Sequence, residues 1–181
     1  EEAGITHLIE HMIFKGTPSR KMGEIAKTIE ASGGNINAYT SFDRTVYYVE
    51  IAASHFDIGL DVLLDAVQHS LFDEGELAKE KEVVLEEYRR SLDIPERELG
   101  KAVMALSYEK HYYGRPIIGY EETIRSFDRQ AILKYMDKWY VPENMVLVAV
   151  GDFDSDSALE KVRNLMKDFR RKPVHQFKSP V

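Results

Sequence analysis

The 181 residues carry 24 Lys and Arg against 31 Asp and Glu, a formal net charge of −7, with 44% hydrophobic residues and no cysteine. That length and apolar share suit one folded domain with a buried core, and the missing cysteines exclude disulfide scaffolds, cysteine nucleophiles and thiolate metal sites. The acidic balance argues against nucleic acid as a partner, and no run approaches the roughly eighteen apolar residues of a membrane span.

Residues 4–14 predict a helix with Ile5, Leu8, Ile9, Met12 and Ile13 around much of its girth, hence a mostly buried one. Gly16-Thr17-Pro18-Ser19 is a turn, and 21–31 predicts a second helix ending at Gly33-Gly34. The Tyr-, Thr- and Val-rich stretch 35–52 predicts strand, best over 45–51, with a bend at Asp43-Arg44. Helices follow over 54–70, with Ser54 as N-cap, over 73–93, and from Pro95 to His111. Residues 113–119 read as a loop braced by Arg115, with a short helix around 121–124. A helix over 128–140 stops before Pro142, 145–153 predicts a buried strand, and 155–169 a last helix before a basic tail. Helices interspersed with a few strands give an α+β fold, a layered antiparallel or mixed sheet packed with helices.

The chemistry sits in His7-Leu8-Ile9-Glu10-His11. Residues four apart lie one turn above each other on a helix, so both imidazoles can reach one Zn²⁺ at about 2.0–2.1 Å. Glu10, three residues from His7, can contact a water without ligating the metal, as a general base requires. Three polar side chains on so apolar a helix are costly to bury without partners, and a metal resolves that cost. A third protein ligand is still needed, and without Cys it must be a carboxylate or another His. On the 73–93 helix a wheel turning about 100° per residue places Glu80 and Glu87 together beside Val83 and Val84, and sends Glu82 and Glu86 to the solvent side. The other histidines, His55, His69, His111 and His175, read as surface residues.

These motifs resemble the pitrilysin/insulinase family of inverted-motif zinc metallopeptidases, in particular its mitochondrial processing peptidase-like and bacterial processing protease branch. The matching text runs from Gly4 to Thr17, then through Gly33-Gly34-Asn35-Ile36-Asn37-Ala38-Tyr39-Thr40, Asp43 to Tyr48, Glu80 to Glu87, Tyr113 to Gly119 and Asn144 to Asp152. In that family the third ligand is a glutamate roughly seventy-five residues past the second histidine, with another glutamate seven positions earlier. Here Glu87 lies 76 residues after His11, and Glu80 seven before Glu87. The resemblance therefore implies His7, His11 and Glu87 as ligands of one Zn²⁺ per domain, Glu10 as catalytic base and Glu80 as a carboxylate that orients the ligands. It also implies that Asn37, Ala38 and Tyr39 lie on an edge strand to which an extended peptide adds.

The implied fold is the LuxS/processing-peptidase-like metallohydrolase fold. S-ribosylhomocysteine lyase shares the motif on a related fold but requires a cysteine ligand, which this chain lacks. The implied activity is zinc-dependent endoproteolysis of extended peptides or presequences; the alternative is a non-catalytic partner subunit of a processing-peptidase-like complex. Residues 1–181 would be the N-terminal catalytic domain without its first strand or strands and without the second homologous domain, which as domain or subunit closes the chamber in a homo- or heterodimer. The start of the chain lacks the basic, apolar pattern of a signal peptide, so the expected compartment is the bacterial cytoplasm, with the mitochondrial matrix as the alternative.

Overall fold

The computed structural model describes residues 2–169 and 171–173. Eight α-helices and one hairpin make up these residues: α1 (Ile5–Met12), α2 (Glu24–Ala31), β1 (Asn35–Thr40), β2 (Thr45–Glu50), α3 (Phe56–His69), α4 (Glu74–Leu92), α5 (Pro95–Ser107), α6 (Glu121–Ser126), α7 (Arg129–Trp139) and α8 (Ser155–Leu165). The α+β composition holds. The described sheet is smaller than expected, two antiparallel strands joined across the Asp43-Arg44 turn, with Ala38 opposite Tyr47 and Tyr39 opposite Val46.

The core has two buried clusters, one built around α1 and one between α2 and α3. Ile5, Leu8, Ile9, Met12 and Ile13 pack with Leu77, Val84 and Leu85 of α4, Ile124 of α6 and Ile132 of α7. Ile25 and Ile29 of α2 pack with Val62 and Ala66 of α3, and Ile36, Val49 and Ile51 of the hairpin cover them. Phe14 touches both clusters, so the turn after α1 joins the helical layer to the sheet.

At eight residues, α1 is too short to be stable alone and depends on this packing. Its start is fixed by a close backbone approach. Gly4 (φ 92°) and Gly119 (φ 85°) lie against each other, and a Cβ on either would sit 2.5 Å from a carbonyl oxygen, of Ile118 and Ala3 respectively. Only glycine meets both demands, the positive φ and the missing side chain. The following turn is tied to α3 through Asp65, whose carboxylate accepts from Thr17 Oγ1 and Ser19 Oγ at 2.7 Å each and pairs with Arg20. Partial burial pushes the Asp65 carboxyl up; the bonds from Ser19, Thr17 and Arg20 outweigh it and hold the group below the usual carboxylate range.

Several expectations are corrected. Asp73 caps α4, accepting from the Gly75 and Glu76 N–H groups, whereas α3 starts after His55 and the expected cap Ser54 caps nothing. The buried strand expected over 145–153 does not form: residues 145–150 join no sheet among the described residues, and Val146, Val148 and Val150 are 89%, 73% and 93% exposed. An apolar run is buried only where a neighbouring strand or layer covers it, and none of the described residues does so here. His55 and His111 are half-buried, not surface groups, and His175 lies outside the described residues.

Candidate metal centre

His7, Glu10 and His11 project from the side of α1 opposite its buried Ile5, Leu8, Ile9 and Met12, and all three are half-buried. The imidazole rings of His7 and His11 lie edge to face, 4.7 Å between centroids. From α4, Glu87 turns its Oε2 to within 3.7 Å of His7 Nε2 and 3.6 Å of His11 Nε2. These separations are too long for hydrogen bonds. They are near the about 3.3–3.5 Å between ligand atoms that tetrahedral bonds of about 2.0–2.1 Å produce. His7, His11 and Glu87 are the described group that could hold a metal ion, with ligand atoms all within 4.8 Å of one another.

The surroundings prepare these donors. His11 Nδ1 donates to Glu80 Oε1 at 3.0 Å, and a carboxylate can only accept. That bond places the proton on Nδ1 and leaves the Nε2 lone pair facing Glu87. Glu80 is itself buried and receives Lys15 Nζ at 2.7 Å. Burial alone would raise the Glu80 carboxyl; the bonds from Lys15 and His11 outweigh it and hold it below the usual range. His7 has no such partner, since its Nδ1 is buried and makes no hydrogen bond. Burial, reinforced by the neighbouring His11, lowers the His7 pKa, which favours the neutral imidazole that a metal requires. The donor set of two imidazoles and one carboxylate thus fits zinc.

Glu10 stands outside this trio, and its Oε2 accepts a hydrogen bond from Thr40 Oγ1 at the end of β1. The edge strand therefore runs directly to the carboxylate expected to act as base. On β1, Asn37 and Tyr39 are exposed and Ala38 half-buried, and the pairing with β2 occupies one edge alone among the described residues. The Ala38 N–H bonds the Asn37 side-chain oxygen at 2.8 Å.

The wheel on α4 separates the carboxylates as the structure does. Glu80 and Glu87 face α1, while Glu82 and Glu86 are exposed, with Glu86 paired to Arg89. Val83, expected beside them, is exposed. Sequence reasoning missed Thr40, Lys15 and the half-buried Tyr47–Tyr140 pair, whose hydroxyls lie 2.7 Å apart. A hydroxyl in a strand and a lysine after a helix carry no pattern that marks them. Arg115 is exposed and its side chain braces nothing in the loop.

The profile for Insulinase (Peptidase family M16) matches residues 1–121. The chain belongs to this family. A second M16 profile, for the inactive domain of the family, matches residues 126–181. Among M16 relatives, the uncharacterized zinc protease YmxG of Bacillus subtilis is 39% identical over 169 residues, which cover 93% of this chain and 41% of that protein. A probable mitochondrial-processing peptidase subunit beta of Arabidopsis thaliana is 32% identical over 96% of this chain and 33% of its own length. A protease structure from Helicobacter pylori superposes with a TM-score of 0.86 at 27% identity, over 99% of this chain and 44% of that one. The chain thus spans about two fifths of the Bacillus relative's length. No helix among the described residues is long and apolar enough to cross a membrane.

Proposed function

We propose that residues 1–181 are the N-terminal catalytic domain of a zinc-dependent endopeptidase acting on extended peptides or presequences. In this reading His7, His11 and Glu87 hold one Zn²⁺, and Glu80 fixes the tautomer and orientation of His11. Bound zinc supplies a water of lowered pKa and polarises the scissile carbonyl. Glu10, oriented by Thr40, takes the proton from the attacking water and returns it to the leaving amine. The open edge of β1 at Asn37, Ala38 and Tyr39 receives the peptide backbone as an added strand, giving affinity with little dependence on sequence.

The observation that carries this reading is the approach of Glu87 Oε2 to both Nε2 atoms at 3.6 and 3.7 Å, with Glu10 kept outside the trio. It supports catalysis over the role of a non-catalytic partner subunit, which has no need of the base or of an oriented ligand set. The names of the Bacillus and Arabidopsis relatives support zinc and proteolysis. The wider fold belongs to the same proposal: in the LuxS/processing-peptidase-like arrangement a strand preceding α1 would pair along 145–150. A second homologous half, as a further domain or as a subunit in a homo- or heterodimer, would close a chamber over the metal. The proposed compartment is the bacterial cytoplasm, with the mitochondrial matrix the alternative raised by the Arabidopsis relative.

The test is Glu10→Gln in the full-length protein. Zinc content by elemental analysis stays at the wild-type level while peptide hydrolysis falls by at least about a hundredfold, the general-base contribution. Near-normal turnover by this variant would refute the mechanism.

A further inference from the structure

Beside the candidate metal centre opens a cavity of about 420 Å³, bounded by α4, α5 and the loop before α6, with Glu87 on its wall. Its lining divides by chemistry. Met104, Ile117 and Ile118 give apolar surface, while Arg97, Lys101 and Arg115 bring three cations. Lys101 is spoken for: its Nζ donates to Ser91 Oγ at 2.9 Å and pairs with Glu98 at 2.6 Å. Arg97 and Arg115 are exposed, and neither guanidinium makes an ion pair or hydrogen bond with any described residue. The cavity's own carboxylate, Glu87, faces the imidazoles and would be committed to the metal. Two arginines whose guanidinium groups have no described partner therefore line one small cavity in a chain whose formal net charge is −7.

We propose that this cavity is a substrate subsite for an acidic side chain, Asp or Glu, close to the scissile bond, with Arg97 and Arg115 setting the preference. The proposal rests on the peptidase reading above and narrows its substrates to extended peptides with Asp or Glu beside the scissile bond, rather than Arg-rich, acid-poor presequences. A guanidinium presents a planar fork of donors that matches a carboxylate with two parallel bonds, and Arg loses less than Lys would on leaving water. Apolar surface from Met104 and Ile118 would accommodate the methylenes of such a side chain and lower the local dielectric around the pair. An Arg or Lys side chain in the same place would meet uncompensated like charge, so the cavity both selects and rejects.

Two measurements on the full-length zinc-loaded protein test this. Peptides that differ only in Glu, Gln or Lys at the positions flanking the cleaved bond are compared for hydrolysis by the wild type, and for binding to Glu10→Gln by fluorescence anisotropy. One flanking position should favour Glu over Lys by roughly tenfold to a hundredfold in both readouts, as charge-assisted bonds imply. Arg97→Glu with Arg115→Glu should invert that preference, whereas Arg97→Lys with Arg115→Lys should keep its sign and reduce it; zinc content and far-ultraviolet circular dichroism confirm that each variant is folded. Hydrolysis without charge preference at any flanking position, or a preference that survives the double Glu substitution, would overturn the subsite and leave the peptidase reading intact. Absence of hydrolysis by the wild type, with arginine-dependent binding of the Glu peptide retained, would overturn the peptidase reading and leave the subsite.

Discussion

Replacing Glu80 by Gln probes whether the site is organised from behind the ligands. In the native arrangement His11 Nδ1 donates to Glu80 at 3.0 Å, and Lys15 donates to the same carboxylate at 2.7 Å. The amide keeps the shape but loses the charge, and it can turn either its oxygen or its NH₂ group toward His11. With the NH₂ inward, His11 Nδ1 must accept, the ring proton moves to Nε2 and the ligand lone pair is lost. Outer partners of metal-ligating histidines are typically worth about 10–100-fold in affinity, or about 1.4–2.8 kcal/mol. The metal-free protein should also lose about 1–2 kcal/mol, the difference between charge-assisted and neutral hydrogen bonds, kept low because Lys15 is about one-third exposed. Competition for zinc against a chelating indicator measures the first effect, and urea unfolding of the chelator-treated protein measures the second. Glu86→Gln is the control, since Glu86 is exposed and pairs with Arg89. Zinc affinity of Glu80→Gln within twofold of wild type would refute the claim that Glu80 prepares His11.

Glu87→Gln should lose zinc beyond the about hundredfold upper figure for Glu80→Gln, because it removes a ligand and not its support; equal zinc contents in Glu87→Gln and Glu86→Gln would show the ligand to be misassigned. Asp65→Asn should cost about 1–3 kcal/mol at pH 7 through its bonds to Thr17, Ser19 and Arg20. Because the folded Asp65 carboxyl is held below its unfolded value, its stabilisation is present above the ordinary carboxylate range and fades as pH falls through the folded pKa, so unfolding curves of wild type and variant should converge below about pH 4. Gly119→Ala should lower the melting temperature by more than Gly100→Ala, since its Cβ would lie 2.5 Å from Ala3 O at positive φ whereas a Cβ on Gly100 meets nothing; equal melting temperatures would refute the clamp on α1.

Much of the candidate site was legible because helix periodicity turns spacing into direction. His11 lies four positions after His7 and Glu87 seven after Glu80, and both intervals bring side chains to one face. What the interval cannot say is which of two aligned carboxylates reaches the metal. Glu80 is buried against Lys15 and His11, and Glu87 remains at the cavity wall, a division set by where α1 crosses α4. Thr40 and Lys15 were illegible for a related reason. Each acts through a single long-range contact, with Glu10 and Glu80, and no local pattern in a sequence encodes a contact between elements.

Residues 145–150 show the opposite failure. Their apolar run reads as buried strand because hydrophobicity states what a segment needs from its surroundings. The structure supplies no pairing partner for it among the described residues, and the three valines stand in solvent. The hairpin met its own need locally, since β1 and β2 are partners joined by four residues and Ile36 and Val49 close over α2 and α3. A strand whose partner is remote in sequence has no such assurance, so its burial follows only from the whole assembly. Full-length protein should therefore protect the 146–150 amides from hydrogen exchange if a neighbouring strand covers them, whereas exchange there as fast as in an exposed loop would show that the segment stays unpaired.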